Sequence, residues 1–141
     1  MNQIKKLFSV NAAPVSTDVA LLLVRVGFGV LMLTHGIPKL GMLFSGEPIQ
    51  FLPLFGLSTG VSLALATAAE FGGSILLILG LGTRLAAIPM AFTMFIAAFV
   101  AHANDPLAVK ELALLYLVAF VALLFAGSGR YSLDKLIEAK L

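Results

Sequence analysis

The chain has 141 residues, of which 60% are hydrophobic and 11% charged, with a formal net charge of +2 and no cysteine; its mean hydropathy is +1.08. A soluble domain carries roughly 25% charged residues, so this shortfall, with apolar runs of about 20 residues, marks an integral membrane protein and leaves no room for a water-soluble domain. The missing thiols exclude a disulfide frame, a thiolate metal site, iron–sulfur ligation and dithiol redox chemistry by the chain itself, and the scattered lysines and arginines leave no nucleic-acid footprint.

Residues 1–16 read as a retained lead-in on the cytoplasmic side. Lys5 and Lys6 are followed by polar residues rather than by the apolar core and cleavage site of a signal peptide, and Ile4, Leu7, Phe8 and Val10 suit the membrane surface. Asp18 is a candidate N-cap. The first span is expected over residues 17–38, with Gly27, Gly29 and Gly36 as small residues for close helix contact. Gly27 and Gly29 lie inside an apolar helix with no strand before them, so they are not a dinucleotide loop.

Residues 41–59 form a longer apolar connection broken by Pro48 and Pro53, expected to rest in the headgroup region or cap the bundle. The second span is expected over 61–81, with Glu70 as its only charge beside Ala66, Ala68, Ala69, Gly72, Gly73 and Ser74. The tight turn at 80–84 (GLGTR) joins antiparallel neighbours. The third span, 85–102, tolerates Pro89 in its first turns; Asn104, Asp105 and Pro106 make a turn; the fourth span is expected over 109–125. Gly127, Ser128 and Gly129 end it, and Ser132 is placed to cap a short amphipathic tail at 131–141 with Leu133, Leu136, Ile137 and Leu141 on one face. The expected fold is all-α: an antiparallel up-down four-helix bundle over residues 17–130 with a C-terminal interfacial helix. The basic flanks Lys5, Lys6, Arg84, Arg130, Lys135 and Lys140 fall on one side, which places both termini in the cytoplasm.

Charges inside the spans are the candidate site. At about 100° per residue, Arg25, Met32 and Lys39 lie within about 40° of one line, with His35 about 80° to one side. An intramembrane cation usually faces protein or a water-filled cavity. Arg25 lies roughly 9–12 Å in from the cytoplasmic end of its helix and Glu70 roughly 15 Å in on its own, a gap an arginine side chain can cross, so they are expected to pair. The pair can fix helix packing, or serve as a carboxylate of tunable pKa for proton transfer near a quinone headgroup, or both. His35 and His102 come to similar depth on different helices; a proton relay or a hydrogen-bond pair for a ligand is favoured over bis-histidine haem or a metal, because no second carboxylate joins them. Glu111 either starts a helix at the interface or turns inward to Lys39, and Tyr116 is within reach of the same cavity. The phenylalanines read as packing and lipid contact.

The segments VRxGxGxLMLxHGxxKL (24–40), AEFGGxxLLxLGxxTR (69–84), AHAxDPxxxKE (101–111) and GSGRYSLD (127–134), taken in order, resemble the DoxX family of small four-helix membrane proteins. The resemblance implies a multi-pass protein of the bacterial inner membrane, in a family associated with quinone-linked redox chemistry. Arg25, His35, Lys39, Glu70, Arg84, His102 and Glu111 match the family's recurrent polar sites.

The expected function is therefore binding of a quinone or related small molecule in an intramembrane polar pocket, as part of an oxidoreductase or detoxification system. Glu70 and Arg25 would do the proton chemistry, and His35, Lys39, His102, Glu111 and Tyr116 would hold the ligand. No covalent cofactor is expected. Beyond the bilayer and the ligand, the expected partner is a redox protein or further copies of the chain as a homo-oligomer. The competing readings are a non-catalytic membrane scaffold subunit and a small proton-coupled transporter.

Overall fold

The computed structural model describes residues 14–141, so all of the expected lead-in except residues 14–16 lies outside the described residues. Four helices are long and apolar enough to cross a membrane: α1, Pro14–Phe44; α2, Thr59–Leu79; α3, Thr83–Ala101; and α4, Leu107–Ala126. A short α5, Leu133–Glu138, follows. The spans alternate in direction, and α1 packs on α2, α2 on α3, α3 on α4, and α4 back on α1. Among the described residues there is no strand. The core is apolar and thinly branched, with Met32, Leu77, Ala87, Met90, Phe120 and Leu123 at its centre.

Small residues bring α1 and α2 together. A side chain at Gly36 would put its Cβ 2.8 Å from the backbone nitrogen of Phe71, and one at Gly29 would meet Ile78 and the Ser74 carbonyl. Without a hydrophobic driving force between helices in lipid, this close backbone approach is what packs them. Gly27 has no neighbour within 4 Å of a built Cβ and does not share the contact.

α1 runs past the expected stop at Pro38, which sits inside the helix. In an apolar layer an interrupted helix strands several backbone groups away from water, whereas one proline removes a single hydrogen bond. α2 begins at Ser58, whose side chain accepts the Val61 N–H, and closes at Gly80 in the left-handed region, φ +68°. Two single π turns depart from the α geometry: Ala68–Gly72 interrupts α2, and Ala97–Ala101 ends α3. Such turns take in one extra residue and recur at functional sites.

The end carrying the C-terminal segment is held by polar contacts. The Asp134 carboxylate accepts the N–H groups of Gly82 at 2.6 Å and Thr83 at 3.1 Å, so α3 is capped by a residue from α5. Asp18 is not the N-cap of α1 but lies within it, where its carboxylate accepts the Arg130 N–H at 3.0 Å. Arg84 donates to the Phe125 carbonyl at 3.2 Å, bonding an end carbonyl of α4. Ser132 accepts the Lys135 N–H and caps α5, whose Leu136 and Ile137 face outward as an interfacial helix requires.

Candidate functional site

The two cations of α1 are 14 residues, about 21 Å, apart along the helix, and helix geometry turns both side chains the same way. Every Cα–Cβ bond tilts toward the helix N-terminus. Arg25 therefore projects toward the end where the C-terminal segment docks, and Lys39 projects back toward mid-membrane. Arg25 is 1% exposed. Its Nη1 donates to the Ser128 carbonyl and its Nη2 to the Tyr131 carbonyl, each at 2.6 Å. Gly80 lies against it: a Cβ there would overlap both the guanidinium and Ser132. The GSGRYSLD segment is thus folded around a buried arginine.

The expected Arg25–Glu70 pair does not form. Glu70 lies at the level of Gly36, and Gly36 is 11 residues, about 16 Å, along α1 from Arg25. The guanidinium also points away from it. Counting depth from each helix's own end gave similar values for the two residues but ignored the direction in which each side chain leaves its helix.

Glu70 is neutralised by Lys39 instead. Lys39 Nζ donates to Glu70 Oε2 at 2.6 Å, with the side chains 23% and 3% exposed. The carboxylate sits in the π turn of α2, where the Ser74 hydroxyl donates to the Glu70 carbonyl. Gly36 presses directly on this turn. The same residue level therefore holds a helix irregularity, a glycine contact and an ion pair, so the position of the carboxylate is fixed from two helices.

Two cavities flank the pair. The larger, about 450 Å³, lies between residues 45–58, α2 and α3; its walls are mainly apolar, including Phe51, Leu54, Phe55, Ala66, Phe92 and Ile96, and Lys39, Glu70 and His102 supply charge and hydrogen bonding at one end. The smaller, about 230 Å³, is reached by His35, Lys39, Glu70, His102 and Tyr116. His35 meets the Tyr116 ring edge-to-face, with centroids 5.7 Å apart. His102 Nδ1 is 2.6 Å from Asp105 Oδ2.

Of the residues singled out in the sequence, His35, Lys39, Glu70, His102 and Tyr116 converge here. Arg25 is at the other end. Glu111 is exposed and lines neither cavity. The reason is spacing: Val109, Leu112, Ala113 and Tyr116 face the smaller cavity at helical intervals, and position 111 falls off that stripe. Glu111 therefore does not meet Lys39. Its neighbour Lys110 donates to the Ala103 carbonyl at 3.0 Å. Among the described residues no group of three or more His, Asp or Glu side chains gathers as a metal site would require.

Sequence reasoning missed the wall made by residues 45–58. Phe55 has φ +51°, the sole non-glycine residue with positive φ among those described, and stacks on Phe92 with centroids 6.3 Å apart. The Leu54 N–H donates to the Ser62 hydroxyl at 3.0 Å and anchors the segment to α2. The alternation of phenylalanine, leucine and proline was the available signal, but it does not reveal which helices the segment folds over. Asp105 was also missed as a partner of His102, although the three-residue spacing across a turn was visible.

Comparison with known proteins matches the DoxX family over residues 20–103. The chain is 30% identical over 127 residues to Inner membrane protein YqjF of Escherichia coli (strain K12), covering 87% of this chain and 95% of that protein. It is 36% identical over 117 residues to an uncharacterized protein of Haemophilus influenzae, covering 78% of this chain and 84% of that one. No solved structure matches the chain.

Proposed function

This chain belongs to the DoxX family and is a multi-pass protein of the bacterial inner membrane; on that premise we propose that it binds a quinone or a related small aromatic molecule in the larger cavity. The observation that carries this reading is a 450 Å³ space with mainly apolar walls and the Lys39–Glu70 pair at one end. Small-molecule sites typically measure about 300–1,000 Å³ and combine apolar walls with a few convergent polar groups. A quinone has the matching form: a flat apolar ring, carbonyl acceptors and an apolar tail.

Lys39 is the donor for a ligand carbonyl, and Phe51, Phe55 and Phe92 supply aromatic walls for the ring. Glu70 is the proton-holding group. It is paired with Lys39 at 2.6 Å, and when the ammonium turns to a ligand the carboxyl group is left facing that ligand. A bound quinone would supply the electron-accepting chemistry, and a redox partner protein would supply the electrons. Arg25 serves this reading as the clamp of the C-terminal segment rather than as a proton-transfer group. The clustering of Arg84, Arg130 and Lys135 near that segment supports reading it as cytoplasmic, with the Lys39–Glu70 site toward the outer leaflet.

The test is quinone titration of purified protein in nanodiscs, with mass spectrometry of molecules retained after gentle extraction. Co-purified quinone is expected, with affinity falling about tenfold or more, about 1.4 kcal/mol, in Ala66→Phe, which fills the cavity, and in Lys39→Met. Equal affinity in wild type and both variants overturns the reading. Liposome uptake abolished by Glu70→Gln, without quinone binding, would replace it with transport.

A further inference from the structure

We infer that the smaller cavity is a water chamber that brings protons to Glu70 from the solution at the His102 end of the bundle. The inference rests on Glu70 being the proton-holding group, but the chamber itself can be tested without any ligand.

The first argument is position. The two cavities share Lys39, Glu70, Ala97 and His102. The ion pair is therefore a partition, and one carboxylate is approached from an apolar side and from a polar side. A group that gives a proton to a ligand on one side needs a separate source on the other; otherwise the occupied ligand site would block its own resupply.

The second argument is lining. A buried water needs two to four polar partners and about 30 Å³ of volume. The smaller cavity has about 230 Å³, room for several waters. The titratable groups lining it are His35 and Lys39 from α1, Glu70 from α2, His102 from the turn that ends α3 and Tyr116 from α4. The larger cavity is bounded mostly by carbon and satisfies water poorly.

The third argument is connection to solvent. The His102 and Asp105 side chains are 44% and 47% exposed. With Nδ1 bonded to Asp105, the other ring nitrogen is left as the group to exchange protons with cavity water. The imidazole takes a proton on one nitrogen and releases one from the other, so each proton that leaves Glu70 is matched by one drawn from solution and no charge accumulates.

The absence of cysteine makes the test direct. Ala113→Cys and Met94→Cys report the smaller cavity and Ala66→Cys the larger. A charged, membrane-impermeant methanethiosulfonate should label the first two and leave Ala66→Cys unlabelled, while an apolar maleimide labels Ala66→Cys. Failure of the charged reagent at both positions 94 and 113 overturns the water chamber. The route is tested by a jump to acid pH, following the infrared carboxyl band that Glu70→Gln removes. Asp105→Asn should slow the rise of that band while labelling at position 113 persists; an unchanged rate overturns the His102 route. Protection of Ala66→Cys by added quinone reports the ligand reading separately, so either conclusion can fail alone.

Discussion

Lys39 and Glu70 meet at 2.6 Å across the contact of α1 with α2, and the glutamate side chain is 3% exposed. Removing one member of a buried pair leaves an uncompensated charge and typically costs about 3–5 kcal/mol. Lys39→Ala should therefore destabilise the bundle more than Lys39→Ala/Glu70→Ala. Thermal unfolding in nanodiscs reads the difference, and identical midpoints for single and double variants would contradict direct coupling.

Arg25 joins α1 to a segment more than 100 residues away through two charge-assisted hydrogen bonds. Each such bond contributes about 1.5–3 kcal/mol, so Arg25→Met should release the segment at a cost of about 3 kcal/mol or more. Hydrogen exchange is expected to accelerate over residues 128–134 while residues around Glu70 keep their protection. Faster exchange around Glu70 with residues 128–134 unchanged would mean the arginine acts on the other end after all.

Gly36→Ala places a Cβ 2.8 Å from the Phe71 nitrogen and 2.9 Å from its Cα. Neither is a flexible side-chain end, so the helices must separate, at about 1–3 kcal/mol. Gly27→Ala meets nothing within 4 Å and should be neutral or stabilising by about 0.5–1 kcal/mol. Parallel melts of the two variants decide it, and equal midpoints would remove Gly36 from the interface.

Asp134 lies outside the spans and its carboxyl is held below the ordinary value of 3.8: burial pushes it up, but the amides of Gly82 and Thr83, helped by the Ser128 hydroxyl, pull it down further. A depressed folded-state pKa stabilises above the unfolded-state value and is lost as pH falls through the folded one. Wild-type melting temperature should therefore drop, relative to Asp134→Asn, as pH falls below about 4. At neutral pH, Asp134→Ala should cost about 1 kcal/mol, as loss of a helix cap does. Parallel pH profiles of wild type and Asp134→Asn would show that the cap contributes nothing.

The spans were legible because run length against bilayer thickness is a coarse property, and the GLGTR and NDP turns punctuate it. The residues that meet were partly legible: polar groups in lipid must seek each other, so His35, Lys39, Glu70, His102 and Tyr116 stood out. Their partners were not, because pairing depends on where a side chain points as well as on Cα depth. That is why Glu70 was assigned to Arg25 when Lys39 reaches back to it. The π turns left no trace in the hydropathy pattern, and the cavity wall at residues 45–58 arises from a fold-back that periodicity does not encode.

The π turn at Ala68–Gly72 gives α2 a built-in allowance for chain length. It takes up one amino acid beyond what a regular coil needs, so shortening the polypeptide by one residue there would straighten the coil and leave the faces above and below in register. The same deletion a turn away would swing everything beyond it by about 100°. Natural or engineered one-residue gaps should therefore be tolerated at this place and rejected elsewhere along the same span.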